Sequence, residues 1–168
     1  MELSSFQLED LNFGPRYAII TNLFKEHLAP ADPLNPNYHR SYHAYWQAKL
    51  RVAQHQNNKI IVANKKLQTK LEKETMPGKV SYFQASDLSS RLQGIYNQEN
   101  IGAAVALSQA IKIPKDAYIA AIKNFKNLEH RLEFAGEKNG IKYFDNSFST
   151  TPESTALDLV SFSAPINQ

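Results

Sequence analysis

Three short apolar runs limit what this chain can fold into more than any other feature: "YAIITN" (17–22), "KIIVAN" (59–64) and "KVSYFQ" (79–84). Each is bounded by turn formers and is too short for a helix, which is the pattern of strands buried in a parallel sheet. Helical patterns lie between and after them. Tyr42, Tyr45, Trp46, Lys49, Leu50 and Ala53 recur at steps of three and four and define one face of a helix over 42–53. "NIGAAVALSQAI" (100–111) and "KDAYIAAIKNF" (115–125) read as a packed helical pair. The fold class is therefore α/β.

The texture changes near Asn127. Two strands are expected at 132–137 and 141–145, joined across "KNG", where Asn139 and Gly140 supply the positive φ angles of a tight hairpin turn. Thr151 as N-cap, Pro152 at the first helical position and Glu153 in the first turn then start a helix over "ESTALDLVSF". A hairpin and one helix cannot bury a core of their own. The expected organisation is one α/β domain over 1–127 and the beginning of a second over 128–168. The opening "MELSSFQLED" reads as the carboxyl end of a strand whose body lies outside the chain.

Composition excludes several classes of function. With no cysteine among 168 residues, disulfides and thiolate chemistry are ruled out. No stretch approaches the ~18 apolar residues of a membrane span, and no basic, apolar leader opens the chain, so a soluble protein is expected. The net charge of +3 is spread, apart from "NKKLQTKLEK" (64–73). That run includes Glu72 and lacks interleaved aromatics, so it reads as a solvated helix face and no nucleic-acid partner is expected.

Some residues could carry chemistry. Lys49 lies on the apolar face with Trp46 and Tyr45, and desolvation there would push its pKa down toward a neutral amine. Such an amine can attack a carbonyl, or take up carbon dioxide to give a carbamate, an anionic oxygen ligand for a hard metal. The alternative is a lysine that snorkels its head into water. His27 sits just beyond the first strand, where open α/β sheets bind ligands. His39 and His43 stand at i, i+4 but lack the glutamate of a zinc-protease helix, and read as surface residues; His55 carries no signal. Thr150 and Thr151 open the last helix, an anion site in principle. The phosphate cradle GxxxxGK followed by Ser or Thr is not in the sequence.

Taken together, "ELSSFQLE" (2–9), "NLFKEHL" with "YWQAKLRV" (22–28 and 45–52), "GIYNQENIGAAVAL" (94–107), and "LEHRLEF" with "DNSFSTTPEST" (128–134 and 145–155) resemble the Mur ligase family. The resemblance covers essentially the whole chain, and "LSSFQLE" and "SFSTTPE" favour the D-glutamate-adding members over folylpolyglutamate synthetases. It implies the later part of the central ATP-binding domain followed by the start of a Rossmann-like C-terminal domain, a piece of a ligase without its UDP-binding domain and P-loop. It also implies a cytoplasmic place in peptidoglycan synthesis. The implied activity is ATP-dependent ligation of D-glutamate to UDP-N-acetylmuramoyl-L-alanine through an acyl phosphate.

Under the same resemblance Glu2, His27 and a carbamylated Lys49 would bind Mg²⁺. Asn100 and Arg131 would contact the nucleotide, with Arg131 suited to stabilise transferring charge because it is permanently cationic and forked. Asn146 stands at a nucleotide-binding position where many members carry an aspartate, with Asp145 one place before it. Thr150 would lie near the D-glutamate carboxylate, and Ser4 and Gln7 near the muramoyl-alanine end. The loop 28–48 is longer and richer in proline than the family's common pattern. Without a phosphate cradle the isolated chain is expected to be inactive. The alternative is a non-catalytic truncated or split-gene product that binds nucleotide weakly or complements a partner chain carrying the P-loop.

Overall fold

A computed structural model describes residues 1–29, 34, 37–55, 57, 59–92, 94–149 and 152–162. The chain divides into two compact units, Met1–Gln84 and Ala85–Gln168.

The first unit contains α1 (Ser5–Glu9), β1 (Tyr17–Ile20), α2 (Tyr42–Leu50), β2 (Ile60–Asn64), a 3₁₀ turn (Lys65–Leu67) running into α3 (Gln68–Leu71), and β3 (Lys79–Phe83). The three strands form a parallel sheet in the order β1-β2-β3. Register places Ala18 opposite Ile61 and Ile20 opposite Ala63. These four residues alternate onto one face, where Trp46, Leu50 and Ala53 of the α2 region and Leu67 and Leu71 complete a core. Leu50 and Ile61 are fully buried. Each such side chain contributes about 1.5–3 kcal/mol by leaving water. On β1, Tyr17 and Ile19 are exposed. The expected strands, and the expected helix at Tyr42, are therefore present.

The opening segment differs from expectation. Residues 5–9 are helical, not the end of a strand. Ser4 Oγ accepts the N–H of Gln7 at 3.2 Å, and Gln7 Oε1 accepts the N–H of Ser4 at 2.9 Å. This reciprocal capping box satisfies two amides that a strand would have had to pair with a neighbour. The basic run is also more engaged than a freely solvated face. Lys70 Nζ donates to Tyr42 Oη at 2.8 Å and lies 4.1 Å from that ring's centroid.

The second unit contains α4 (Ile95–Ala110), α5 (Lys115–Asn124), β4 (Glu133–Lys138), β5 (Ile141–Asp145) and α6 (Pro152–Leu159). α4 packs on α5, as the alanine-rich pattern predicts. It begins five positions before Asn100, directly after Gly94, whose φ of 96° suits glycine alone. A Cβ there would fall 2.6 Å from Ser161 Oγ and 2.7 Å from the Tyr96 ring. The hairpin turns at Asn139 and Gly140, with φ of 54° and 78°, matching the "NG" signal. Pro152 is the first residue of α6, while the expected cap Thr151 lies outside the described residues. Among the described residues, no helix is long and apolar enough to cross a membrane.

Candidate functional site

In the first unit, His27 lies in the loop after β1 with a left-handed φ of 57°. Its ring meets Phe6 of α1 edge-on at 5.1 Å between centroids and Tyr45 of α2 at 6.2 Å. Lys49 is one helical turn beyond Tyr45, so the two side chains share a face. Its Nζ lies 5.9 Å from the centroid of the same ring, within cation–π range. The structure thus brings two of the three expected metal ligands onto one aromatic floor. Burial, then the nearby Glu26 and Tyr42, push the Tyr45 phenol up to about 12. It therefore stays neutral near pH 7 and adds no charge to the site.

Lys49 is half-buried, not enclosed among apolar groups as its helical position predicts. The buried side chains of α2 are Tyr45, Trp46, Ala48 and Leu50, and the adjacent lysine reaches past them over the Tyr45 ring. Glu2 is exposed in the irregular stretch just before Ser4, on the segment that carries Phe6. A carboxylate, an imidazole and a lysine able to become an oxygen donor fit a divalent cation with mixed oxygen and nitrogen ligands. Ser4 and Gln7 are exposed, and each commits its side-chain oxygen to the capping box.

His39 overturns its reading as a surface residue. It is 2% exposed, stacked on Phe6 at 4.7 Å and 1° between planes. Its Nε2 lies 2.8 Å from Ser5 Oγ, and its backbone N–H donates to the carbonyl of His27 at 2.7 Å. Nδ1 sits 3.0 Å from Glu9 Oε1, close enough for an ion pair but without the alignment of a hydrogen bond. The sequence spacing of His39 and His43 conceals this, because the partners of His39 on α1, Ser5, Phe6 and Glu9, are far away in the chain, Ser5 by 34 residues. His43 is exposed, as expected.

In the second unit, Asn100 and Asn146, two of the residues expected at the nucleotide, belong to one polar network. Asn100 donates through Nδ2 to Asn97 Oδ1 at 3.1 Å. Asn97 in turn hydrogen-bonds Tyr96, whose phenol also bonds Asp158 and feels the charge of Arg131. Burial, followed by the Asp158 hydrogen bond and charge, raises the Tyr96 pKa. Asn146 accepts the N–H of Leu132 at 3.2 Å and donates to Asp158 Oδ2 at 2.6 Å, so both ends of its amide are held. Ser149 Oγ donates to the same Oδ2 at 2.9 Å. Arg131 is exposed, its guanidinium carbon 5.4 Å from the Phe148 centroid. Thr150 lies outside the described residues.

Sequence reasoning missed the buried Asp158 of α6, which gathers Tyr96 from α4 and Asn146 and Ser149 from the loop after β5. It also missed a trio beside Arg131. His130, Glu133 and Asp145 place one potential ligand atom each within 4.8 Å of the others. These atoms are already engaged: His130 Nδ1 lies 2.7 Å from Asp145 Oδ2, and Glu133 Oε2 accepts the N–H of His130 at 2.9 Å. Ser147, from its hydroxyl and its backbone N–H, donates to the other Asp145 oxygen. The trio therefore braces the backbone next to Arg131. Neither arrangement leaves a local sequence signal, since its members meet only after the hairpin and α6 have formed.

No protein-family model matches the chain. It is 29% identical over 189 residues to a UDP-N-acetylmuramoylalanine--D-glutamate ligase of Macrococcus caseolyticus, a match covering 98% of the chain and 41% of that protein. It is 32% identical over 190 residues to the ligase of the same name from Leuconostoc mesenteroides, covering 98% of the chain and 40% of the relative. The chain thus spans about two-fifths of the length of these relatives. Among solved structures, the UDP-N-acetylmuramate-alanine ligase MurC of Thermotoga maritima matches with a TM-score of 0.65 and 20% identity, over 94% of this chain and 40% of that one, a likeness of fold. Along nearly its whole length the chain is thus similar in sequence to about two-fifths of these D-glutamate ligases, and in fold to a Mur ligase.

Proposed function

We propose that the chain carries the metal half-site and part of the nucleotide site of an ATP-dependent ligase. The reaction joins D-glutamate to UDP-N-acetylmuramoyl-L-alanine through an acyl phosphate, in cytoplasmic peptidoglycan synthesis. Residues 1–127 correspond to the later part of the ATP-binding domain and 128–168 to the start of the C-terminal domain. The observation that carries this reading is the approach of His27 and Lys49 to one Tyr45 ring, in a chain similar throughout to D-glutamate ligases.

Glu2, His27 and Lys49, the last as a carbamate, would hold a Mg²⁺ ion. When bound, the ion with ATP supplies an activated phosphoryl group and neutralises its charge. The chain's own residues do the rest of the local work. Tyr45 fixes the spacing of His27 and Lys49 and excludes water beneath them. Arg131, held beside Phe148, offers a fixed cation to phosphate oxygens. Asn100, at the exposed surface of α4, offers its amide to the base. Asn146, with both amide ends held internally, orients the Asp158 network that supports these contacts. Thr150 would meet the D-glutamate carboxylate, and Ser4 and Gln7 the muramoyl-alanine end.

The sequence holds no GxxxxGK cradle, so the isolated chain is expected to show no ligase turnover. Phosphate release dependent on ATP, D-glutamate and UDP-N-acetylmuramoyl-L-alanine is the assay, with the Leuconostoc mesenteroides ligase as positive control. Release above background overturns the expected inactivity. Binding of neither Mn²⁺ nor ATP by the folded chain overturns the assignment of the sites.

A second reading, a complementing or non-catalytic chain, is favoured by one observation. Parallel sheets are ordinarily covered on both faces, yet Tyr17 and Ile19 of β1 are exposed. A partner bearing the P-loop would cover them. Co-expression with a Leuconostoc ligase piece lacking the matching region tests this: a co-purifying, active pair supports complementation, and two chains that stay apart reject it.

A further inference from the structure

We propose that His39 is a positioning residue for the cation site, a bracket that fixes the His27 loop against the segment carrying Glu2. This rests on the reading that Glu2, His27 and Lys49 hold a divalent cation. His39 reaches two parts of that site at once. Its imidazole is clamped to α1, with Nε2 2.8 Å from Ser5 Oγ, Nδ1 3.0 Å from Glu9 Oε1 and its plane stacked on Phe6. Its main-chain N–H holds the carbonyl of His27 at 2.7 Å.

The clamp has a physical task to perform. His27 is a non-glycine residue at φ 57°, a left-handed backbone conformation that residues with a Cβ disfavour and that reverts unless its surroundings hold it. The His27 side chain is about half exposed and is not locked by packing alone. The hydrogen bond to its carbonyl comes from a residue whose own side chain is 1% exposed and pinned to a capped helix. That helix begins three residues after Glu2. His39 thus relates the imidazole of the loop to the carboxylate segment, while its stack on Phe6 and its 5.4 Å approach to Tyr45 tie both to the helix bearing Lys49. Residues that orient metal ligands in this way commonly change affinity by about 10–100-fold when lost.

The experiment is a Mn²⁺ titration of the whole chain by electron paramagnetic resonance, with urea unfolding of every variant in parallel. His39→Phe keeps the stack on Phe6 and removes both ring nitrogens; its Mn²⁺ Kd is expected to rise about tenfold. His39→Gln restores an amide facing Ser5 and is expected to recover most of the lost affinity. Recovery by Gln without a matching recovery of the urea midpoint separates positioning from general stability. In the wild type, Mn²⁺ should broaden the His27 ring resonances, and in His39→Phe that broadening should weaken. His27→Ala is the control for the underlying reading. If it binds Mn²⁺ as the wild type does, the cation-site reading falls and the bracket with it. If His27→Ala loses affinity while folded His39→Phe keeps it, the bracket alone is overturned. Should His39→Phe fail to fold, Ser5→Ala removes the hydroxyl facing Nε2; a Kd raised about threefold supports the bracket and an unchanged Kd overturns it.

Discussion

His27 and Lys49 meet the same ring, that of Tyr45, which lies 6.2 Å from the imidazole centroid and has its own centroid 5.9 Å from the ammonium. A side chain of α2 therefore sets the spacing between a loop histidine and a helix lysine. If Lys49 serves as a carbamate, Lys49→Arg keeps the cation and its place over Tyr45 but cannot take up carbon dioxide. Wild-type chain in ¹³C-bicarbonate is expected to show a carbamate resonance that Lys49→Arg lacks, with Mn²⁺ affinity lower by at least about tenfold in the variant. Equal affinity in the two proteins would remove the carbamate from the site.

Asp158 is the second test. Its carboxylate is buried and receives Tyr96, Asn146 and Ser149. Asp158→Ala strands the Tyr96 and Asn146 donors, while Ser149 Oγ keeps Ser154 and Thr155 in reach, and urea unfolding should show a loss of about 2 kcal/mol. The same variant should release Asn146, read as a shift of its side-chain amide resonances. A loss below about 0.5 kcal/mol would mean that water replaces the carboxylate at no cost.

The His130–Asp145 pair gives a pH dependence whose sign can be worked out. Hydrogen bonding and charge from Asp145 raise the His130 pKa above 6.5, so its contribution is complete below 6.5 and fades as pH rises through the raised value. Hydrogen bonds from Ser147 and His130 lower Asp145 from 3.8 to about 2, so its contribution is complete above 3.8 and fades as pH falls toward about 2. The hairpin should be best ordered between these limits. A proton titration of His130 followed by NMR should give a midpoint above the ordinary histidine value, returning to it in Asp145→Asn. An unshifted wild-type midpoint would show that the pair is not formed in solution.

At the hairpin turn, Gly140 holds φ 78° beside Asn139 at 54°. Gly140→Ala forces a Cβ into the left-handed region and should lower stability by about 1–2 kcal/mol, whereas Asn139→Gly should stay within about 0.5 kcal/mol of wild type. Urea midpoints of the two variants decide it: similar losses in both would contradict the turn geometry.

Much of the fold was legible because its determinants are local. The strands at Tyr17, Ile60 and Lys79 announce themselves as apolar runs, and the hairpin as Asn139-Gly140. The helix at Ser5 was missed because Leu3, Phe6 and Leu8 fit a strand as readily over so few residues; the available signal was Ser4 followed by Gln7 three positions on. The start of α4 was placed too late because Gly94, which opens it, reads in sequence as an ordinary breaker. His39 was misplaced because its burial depends on distant partners on α1, Ser5 among them 34 residues away. Asp158 was invisible for the same reason: a carboxylate on a surface helix and one that joins a distant helix to a loop have the same local sequence. The candidate cation site was legible through His27 and Lys49, but not the ring that joins them or the histidine that holds the loop.

The parallel register that sets Tyr17 against Ile60 has a kinetic corollary. His27, His39, Tyr45 and Lys49 all lie inside the loop that this pairing closes. Loop-closure entropy opposes so distant a contact, and non-local strand pairing is a slow event in folding. On a growing or refolding chain the meeting of these side chains is therefore tied to the first β1–β2 ladder. If these side chains hold a metal ion, its capture would report that the β1–β2 ladder has closed, since ion and strand would wait on the same search through conformations.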